Sequence, residues 1–375
     1  DGMRSGTGRA ARGMEAREAR LARAFVAPAL GVIVLIAMFP LGYTFWESLH
    51  LHDLRMPWLG RPFVGLGNYR EAFGEPRFWS ALGHTAFFTV VTVALELGLG
   101  LILALAVNRA YRGRGLVRAA VLLPWAIPTV VAALIWRFMF DGQTGIANAV
   151  LMGLGLMDTP LIWFVHSTAA WVPVILSDVW KMTPFVALLL LAGLQNIDAH
   201  LYEAARMDGA NAWRQFREIT LPLLRPALLV AVVFRTLDAF RVFDLLYVLT
   251  GGGPGTSTEP IALFAFSSLL QNLRFGYGSA LSMIIFAVTF LLAIAYYDRG
   301  LLLIQNQKFD MAIADFNNAL VLRPNFGDAF AYRAFCREKL GDIMGAVGDY
   351  RKSVEFGSPL EWPRKRLVSL QPQGR

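Results

Sequence analysis

The sequence predicts an all-α, polytopic membrane protein with about six transmembrane helices and a small cytoplasmic helical tail. Three observations predict it: long apolar runs, a shortage of charge, and a periodic repeat confined to the last eighty or so residues. The 375 residues are 56% hydrophobic and only 17% charged, where a soluble domain carries about a quarter charged residues. The net charge of +8 does not argue for nucleic acid, because the arginines lie beside the apolar runs instead of forming a soluble basic face. A single cysteine, Cys336, excludes an internal disulfide and a cysteine-based metal site. The five histidines do not pair at metal-ligand spacing; His84 and His166 read as polar residues near span ends.

Residues 1–23 form a basic segment with Arg4, Arg9, Arg12, Arg17, Arg20 and Arg23. A membrane region follows over 24–297. Six runs there reach the roughly 20 apolar residues that cross a hydrocarbon core as a helix. They are Ala24 to Trp46, Ala81 to Val107, Val117 to Phe140, Ala169 to Leu194, Leu223 to Leu249 and Gly278 to Tyr297. The first is too long for a cleaved signal core and reads as an anchor. Arginines crowd the loops after the second run (Arg109, Arg112, Arg114, Arg118) and the fourth (Arg206, Arg214, Arg217, Arg225). The intervening loops from 141 to 168 and from 251 to 277 hold only Arg274. The first outer loop, with Arg55, Arg61, Arg70 and Arg77, is the exception. The balance predicts both termini in the cytoplasm.

Over 298–375 charges become frequent and the apolar residues periodic. Phe309, Ala312, Ile313, Asp315, Phe316, Ala319 and Leu320 recur as Ile343, Ala346, Val347, Asp349, Tyr350, Ser353 and Val354. That offset, with Pro324 closing one unit and Leu340-Gly341 in the next, resembles the tetratricopeptide repeat. An ordinary helical hairpin is the simpler alternative. Two repeats are fewer than usually stand alone, so the tail is expected to lean on the membrane region or on a protein ligand. Its first helix begins near Tyr296, inside the end of the last run.

Between the fourth and fifth runs, residues 201–222 read LYEAARMDGANAWRQFREITLP. Glu203, Ala204 and Ala205 are good helix formers with a small-residue surface. Asp208 precedes Gly209, which allows a sharp turn because it tolerates positive φ. Trp213, Phe216 and Ile219 give an apolar face, and Leu221-Pro222 opens the next helix where a missing N–H costs little. The predicted object is a short helix-turn-helix. An interfacial amphipathic helix would explain Trp213 and Phe216 but not the rest. The pattern resembles the EAA loop of ABC importer permeases. The resemblance implies that this loop docks on a separate ATPase and transmits its closure to the membrane helices.

The resemblance extends over residues 25–296. The segments 63–69 (FVGLGNY), 177–185 (SDVWKMTPF), 191–195 (LAGLQ), 240–244 (FRVFD) and 249–254 (LTGGGP) resemble sugar permeases of the maltose, trehalose and glycerol-3-phosphate type. They are most similar to trehalose-type permeases of actinobacteria, as the first permease of a heterodimeric pair. The tail departs from that family. The resemblance implies the inner membrane of a bacterial cell as the lipid bilayer, with a second permease, an ABC ATPase dimer and an extracytoplasmic solute-binding protein as partners. No Gly-Lys pair exists in the chain, so no P-loop does. The chain is therefore expected to be no enzyme and to bind no cofactor, with ATP and magnesium held by the partner ATPase.

Ionisable residues inside the apolar runs are functional candidates, since each is costly in lipid. Arg235, Asp238, Arg241 and Asp244 recur every three residues and would form one stripe. They suit a polar lining for sugar hydroxyls, or equally a ladder of mutually neutralising pairs. The resemblance implies substrate contacts at Arg241, Val242 and Asp244. Asp178 and Lys181 are one turn apart and could pair. Trp180 could stack on a sugar, or serve as a core tryptophan. Glu96 is alone in its run and could meet an arginine from another helix. The leading expectation is an ATP-driven sugar importer permease. The alternatives are a permease for another solute and a membrane-tethered scaffold acting through its tail.

Overall fold

The computed structural model describes residues 36, 38–108, 113–305, 307–323 and 325–370. The basic segment 1–23 and most of the first apolar run lie outside them, as do Arg109 and Arg112. The described chain is helical, with only two isolated β-bridges, His50–Phe63 and Asp53–Arg274. It divides into two compact units.

The first unit comprises residues 1–74 and 265–283. Residues 38–48 are helical and α1 is Gly67–Gly74. Buried Asn68 donates to the carbonyls of Ser48 at 2.8 Å and His50 at 3.0 Å, answering backbone acceptors left by the irregular segment between the two helices. Arg274 closes the unit by pairing with Glu71 at 2.5 Å and lying over Tyr277.

The second unit comprises residues 75–264 and 284–375. Its helices are α2 (Pro76–Asn108), α3 (Arg114–Ala126), α4 (Thr129–Met139), α5 (Ile146–Gly153) and α6 (Trp171–Gln195). Next come α7 (Ala199–Met207), α8 (Ala212–Gln215), α9 (Leu221–Phe240) and α10 (Asp244–Leu249). After α11 (Ile261–Phe266) and the long α12 (Phe275–Gln305), both of which cross the unit limits, the tail folds as α13 (Phe309–Leu322), α14 (Gly327–Lys339), α15 (Ile343–Glu355) and α16 (Trp362–Leu370). One core cluster joins α2, α6 and α9 through Ala104, Val186, Leu190, Leu194, Leu224 and Ala231. Lipid is as apolar as leucine, so such helices associate by close van der Waals packing, which small residues permit. Gly100 marks the closest approach: a Cβ there would lie 2.6 Å from Cγ1 of Val186.

Six runs were expected to span. Among the described residues three helices have the length and apolarity to do so: Pro76–Asn108, Trp171–Gln195, and Ala212–Phe240 taken as one stretch. The expected third run is a bent pair, α3 and α4, meeting at 87°. Pro124 and Pro128 flank the break, and proline cannot donate to the helical ladder. The fifth run also breaks: α9 ends at Phe240 and α10 starts at Asp244. The sixth lies within α12, which runs over Phe275–Gln305. The expected boundary at 297/298 falls inside α12, with no interruption of the helix.

The tail repeats itself in atomic detail. Arg299 pairs with buried Asp315 at 2.6 and 2.7 Å, and Arg333 pairs with buried Asp349 at 2.6 and 2.7 Å. Both pairs join positions 16 apart, and the second follows the first by 34 residues. Phe316 and Tyr350, also at equivalent positions, fill the cores beneath them. The tail leans on α9: Lys308, Asp310, Met311 and Ile313 face Leu223, Arg225 and Pro226 across a cavity of about 770 Å³.

Candidate functional site

Two features of the second unit carry functional chemistry, one at each end of α9. At its C-terminal end a cavity of about 350 Å³ falls within the size range of small-molecule sites. Asp178, Lys181, Arg235, Asp238, Arg241 and Asp244 all line it. Five of the six candidate path residues thus converge with Arg235 on one space. Trp180 does not line it; its ring meets Trp136 edge-on, with centroids 5.9 Å apart, so it packs as an aromatic neighbour.

The hub of the cavity wall is Arg235, which is 1% exposed. Its Nε and Nη2 donate to both oxygens of Glu96 at 2.5 and 2.9 Å. Nη2 also reaches Asp178 at 3.0 Å, and Nη1 reaches Asp238. One guanidinium therefore ties α2, α6 and α9 together. A buried arginine needs such partners, since an unpaired charge in this environment costs several kcal/mol. Glu96, expected to meet an arginine, is fully buried behind the cavity wall. The 139 residues between these two partners hid their pairing from local pattern reading.

Two expectations are corrected. Lys181 does not form an ion pair with Asp178. Its Nζ donates to the backbone oxygens of Ile127 at 2.5 Å and Trp125 at 3.3 Å, the carbonyls freed by the α3–α4 break, which no helical N–H can reach. The four-residue stripe is also not one helix face. Arg235 and Asp238 pair within α9, but Arg241 lies past its end and Asp244 begins α10. Arg241 donates through Nε to the Leu237 carbonyl at 3.3 Å. Neither Arg241 nor Asp244 forms an ion pair among the described residues. The wall thus combines a neutralising network around Arg235 with polar groups turned to the cavity.

A residue pair was missed altogether. Arg77, counted with the loop arginines, grips Glu259 with two bonds of 2.8 Å each and lies over Phe264. Glu259 is 4% exposed. Two charges 182 residues apart carry no local signal of partnership.

At the other end of α9, residues 199–222 form the predicted helix-turn-helix. Asp198 caps α7 by accepting from the amide of His200 at 2.9 Å, and Asn211 caps α8 by accepting from Arg214 at 2.9 Å. Between them Gly209 adopts φ +78°, a conformation glycine takes without steric penalty. Tyr202 and Thr220 hydroxyls meet at 2.9 Å, and the Gln215 amide donates to the Ala210 carbonyl at 2.8 Å. These contacts brace the loop internally while its outward surface stays open. Glu203, Ala204, Met207, Asp208 and Trp213 are all exposed, the last two-thirds so. Leu221 and Pro222 enter the first turn of α9, so loop and helix are continuous.

The family model described as binding-protein-dependent transport system inner membrane component matches residues 96–303, and that of the tetratricopeptide repeat matches residues 293–326. The chain is 45% identical over 285 residues to the trehalose/maltose transport system permease protein MalF of Thermococcus litoralis, covering 76% of this chain and 95% of that one. It is 41% identical to the trehalose transport system permease protein SugA of Mycobacterium tuberculosis, covering 76% and 90%. It is 40% identical to the sulfoquinovosyl glycerol transport system permease protein SmoG of Agrobacterium fabrum, covering 74% and 89%. In fold it is similar to a chain of a bacterial ABC transporter that imports the acidic polysaccharide alginate, with a TM-score of 0.62 at 23% identity over 72% of this chain and 91% of that one. A cavity walled by charged helices and a braced, exposed loop at the far end of one of them fit that kinship, and the chain belongs to the binding-protein-dependent inner membrane components, the permease subunits of ABC transporters.

Proposed function

We propose that this chain is the permease subunit of an ATP-driven sugar importer, in which the cavity at the end of α9 forms part of the sugar path and residues 201–222 receive the mechanical stroke of a separate ATPase. One observation carries the reading: the loop and the cavity are the two ends of a single helix. At 1.5 Å per residue, the 20 residues of α9 join them over about 30 Å. A displacement of Leu221 and Pro222 is therefore delivered to Arg235 and Asp238 without passing through a loop. Glu203, Ala204, Ala205, Asp208 and Gly209 would form the docking surface. Asp178, Lys181, Asp238, Arg241 and Asp244 would border the path, where carboxylates accept from sugar hydroxyls and Arg241 donates to them.

The sugar class rests on the relatives named for trehalose, maltose and sulfoquinovosyl glycerol and on the polar lining of the cavity. The assembly would comprise a second permease, two ATPase subunits and a solute-binding protein on the outer face. Both termini would lie in the cytoplasm, on the side of the arginine-rich loops. The tail would be a tetratricopeptide-like module continuous with α12, with a protein ligand of its own.

The test is uptake by the full transporter in proteoliposomes. Glu203→Ala and Gly209→Val are expected to lower ATP-dependent sugar uptake about tenfold or more and to weaken co-purification of the ATPase, with membrane insertion unchanged. Normal uptake and normal ATPase recovery in both variants would refute the coupling role.

A further inference from the structure

We infer that Glu96 is a specificity-determining residue that suits the cavity to neutral sugars over acidic ones, by withdrawing the Arg235 guanidinium from the solute. This rests on the proposed role of the cavity in the sugar path. Arg235 is the largest fully buried side chain of the protein's described residues, yet it belongs to the cavity wall. A guanidinium in a binding cavity is an obvious partner for a carboxylate or sulfonate, because its planar fork matches two anionic oxygens at once. Here Glu96 already occupies that fork with two bonds, from behind the wall, at 2.5 and 2.9 Å. Asp178 and Asp238 take donors on the remaining side.

The second cation of the wall is engaged as well. Lys181 gives its Nζ donors to the carbonyls of Ile127 and Trp125. Arg241, like Lys181, has no carboxylate partner among the described residues, and its Nε donates to the Leu237 carbonyl at 3.3 Å. Four carboxyl groups, those of Glu96, Asp178, Asp238 and Asp244, thus stand against three basic groups, those of Lys181, Arg235 and Arg241. Asp238, whose side chain is 53% exposed, turns an acceptor to the space. Such a wall accepts hydrogen bonds from hydroxyl groups and repels an added carboxylate. An unpaired arginine in the same place would do the reverse. Both neutral and acidic sugars occur in the names of the proteins this chain resembles, so the distinction is one that the fold leaves open and the lining must make.

Removing one charge from each side of the pair should move selectivity in opposite directions. Uptake of trehalose or maltose, whichever the wild type carries, is measured in proteoliposomes of the complete transporter with its ATPase and binding protein. The inhibitor is loaded in the lumen with ATP, where the binding protein is absent: maltose in one series, and maltobionate, of similar size but carrying a carboxylate, in the other. Wild type should be inhibited more strongly by maltose. Glu96→Gln should shift the ratio toward maltobionate by at least about fivefold, and Arg235→Gln should shift it the other way. A loss of packing alone would weaken both inhibitors together. An unchanged ratio in both variants, or a shift of the same sign in both, overturns the inference. If one variant does not assemble, the sign of the shift in the other decides. Absence of ATP-dependent uptake of any neutral disaccharide by the wild type would instead count against the sugar importer itself.

Discussion

Arg235 illustrates how a charge is kept at depth in an apolar protein. It is surrounded by carboxylates from three helices, so truncating it would leave Glu96 buried without its partner, a change that costs about 3–5 kcal/mol in comparable buried pairs. The tail holds an exposed counterpart. Arg366 donates to both oxygens of Glu338, and the Tyr350 hydroxyl donates to it at 2.9 Å. The Arg366 contacts, against the opposing effect of burial, hold the Glu338 carboxyl below the usual carboxylate range. A lowered folded value means that this pairing stabilises the tail fully above the pKa of the unfolded carboxyl and is lost as pH falls through the folded one. Hydrogen-exchange protection of α16, corrected for intrinsic rates, is expected to hold from pH 7 to about pH 5 and to fall from there toward about pH 3. In Glu338→Gln that particular fall should disappear. The separate partners of Glu96, Glu259 and Glu338 were not legible in the sequence, because each pair is brought together by tertiary packing across 139, 182 and 28 residues. What could be read was the need for partners, since lone charges in apolar runs demand them.

The elements were legible where one physical rule dominates. The lengths of α2 and α6 follow from their apolar runs, and the loop helices α7 and α8 from their caps and from Gly209. Legibility failed at the breaks. The run from 117 to 140 contains Pro124 and Pro128, so a signal was present, but apolarity alone masked it. The break after Phe240 had no proline; there the three-residue spacing of charges suggested a continuous helix, and the cavity setting prevailed instead. Lys181 is the residue that makes the first break tenable. Replacing it by methionine would leave the Ile127 and Trp125 carbonyls without their donor, at a cost of about 1–3 kcal/mol. Amide protection in the first turn of α4 should drop accordingly in the assembled transporter. Unchanged protection there would mean that the bend is held by its prolines alone.

At the scale of the whole molecule, the permease region and the tail share more than a chain. The core of the first repeat includes Tyr297, Leu301 and Ile304 from the end of α12, and α13 rests near the foot of α9. The sequence showed the 34-residue repeat through its apolar and aspartate positions, but Arg299 and Arg333 emerged as its clasp only once the helices were paired. Because the relatives match the chain over about three-quarters of its length, transport should not require the tail. A chain ending at Gln305 is expected to insert, recruit the ATPase and retain sugar uptake, with lower thermal stability in detergent because Leu301 and Ile304 lose their cover. Loss of uptake with assembly intact would show that the tail takes part in the stroke.

The uninterrupted α12 also has a consequence for how such a chain can evolve or be engineered. Each added residue turns a helix by about 100° and lengthens it by 1.5 Å. One codon inserted just ahead of Arg299 would therefore swing Arg299, Leu301 and everything beyond them around the axis as a block, away from the foot of α9. A substitute tail must be spliced in phase with the helix as well as in frame with the gene, and only insertions close to whole turns, such as seven or eleven residues, preserve that phase.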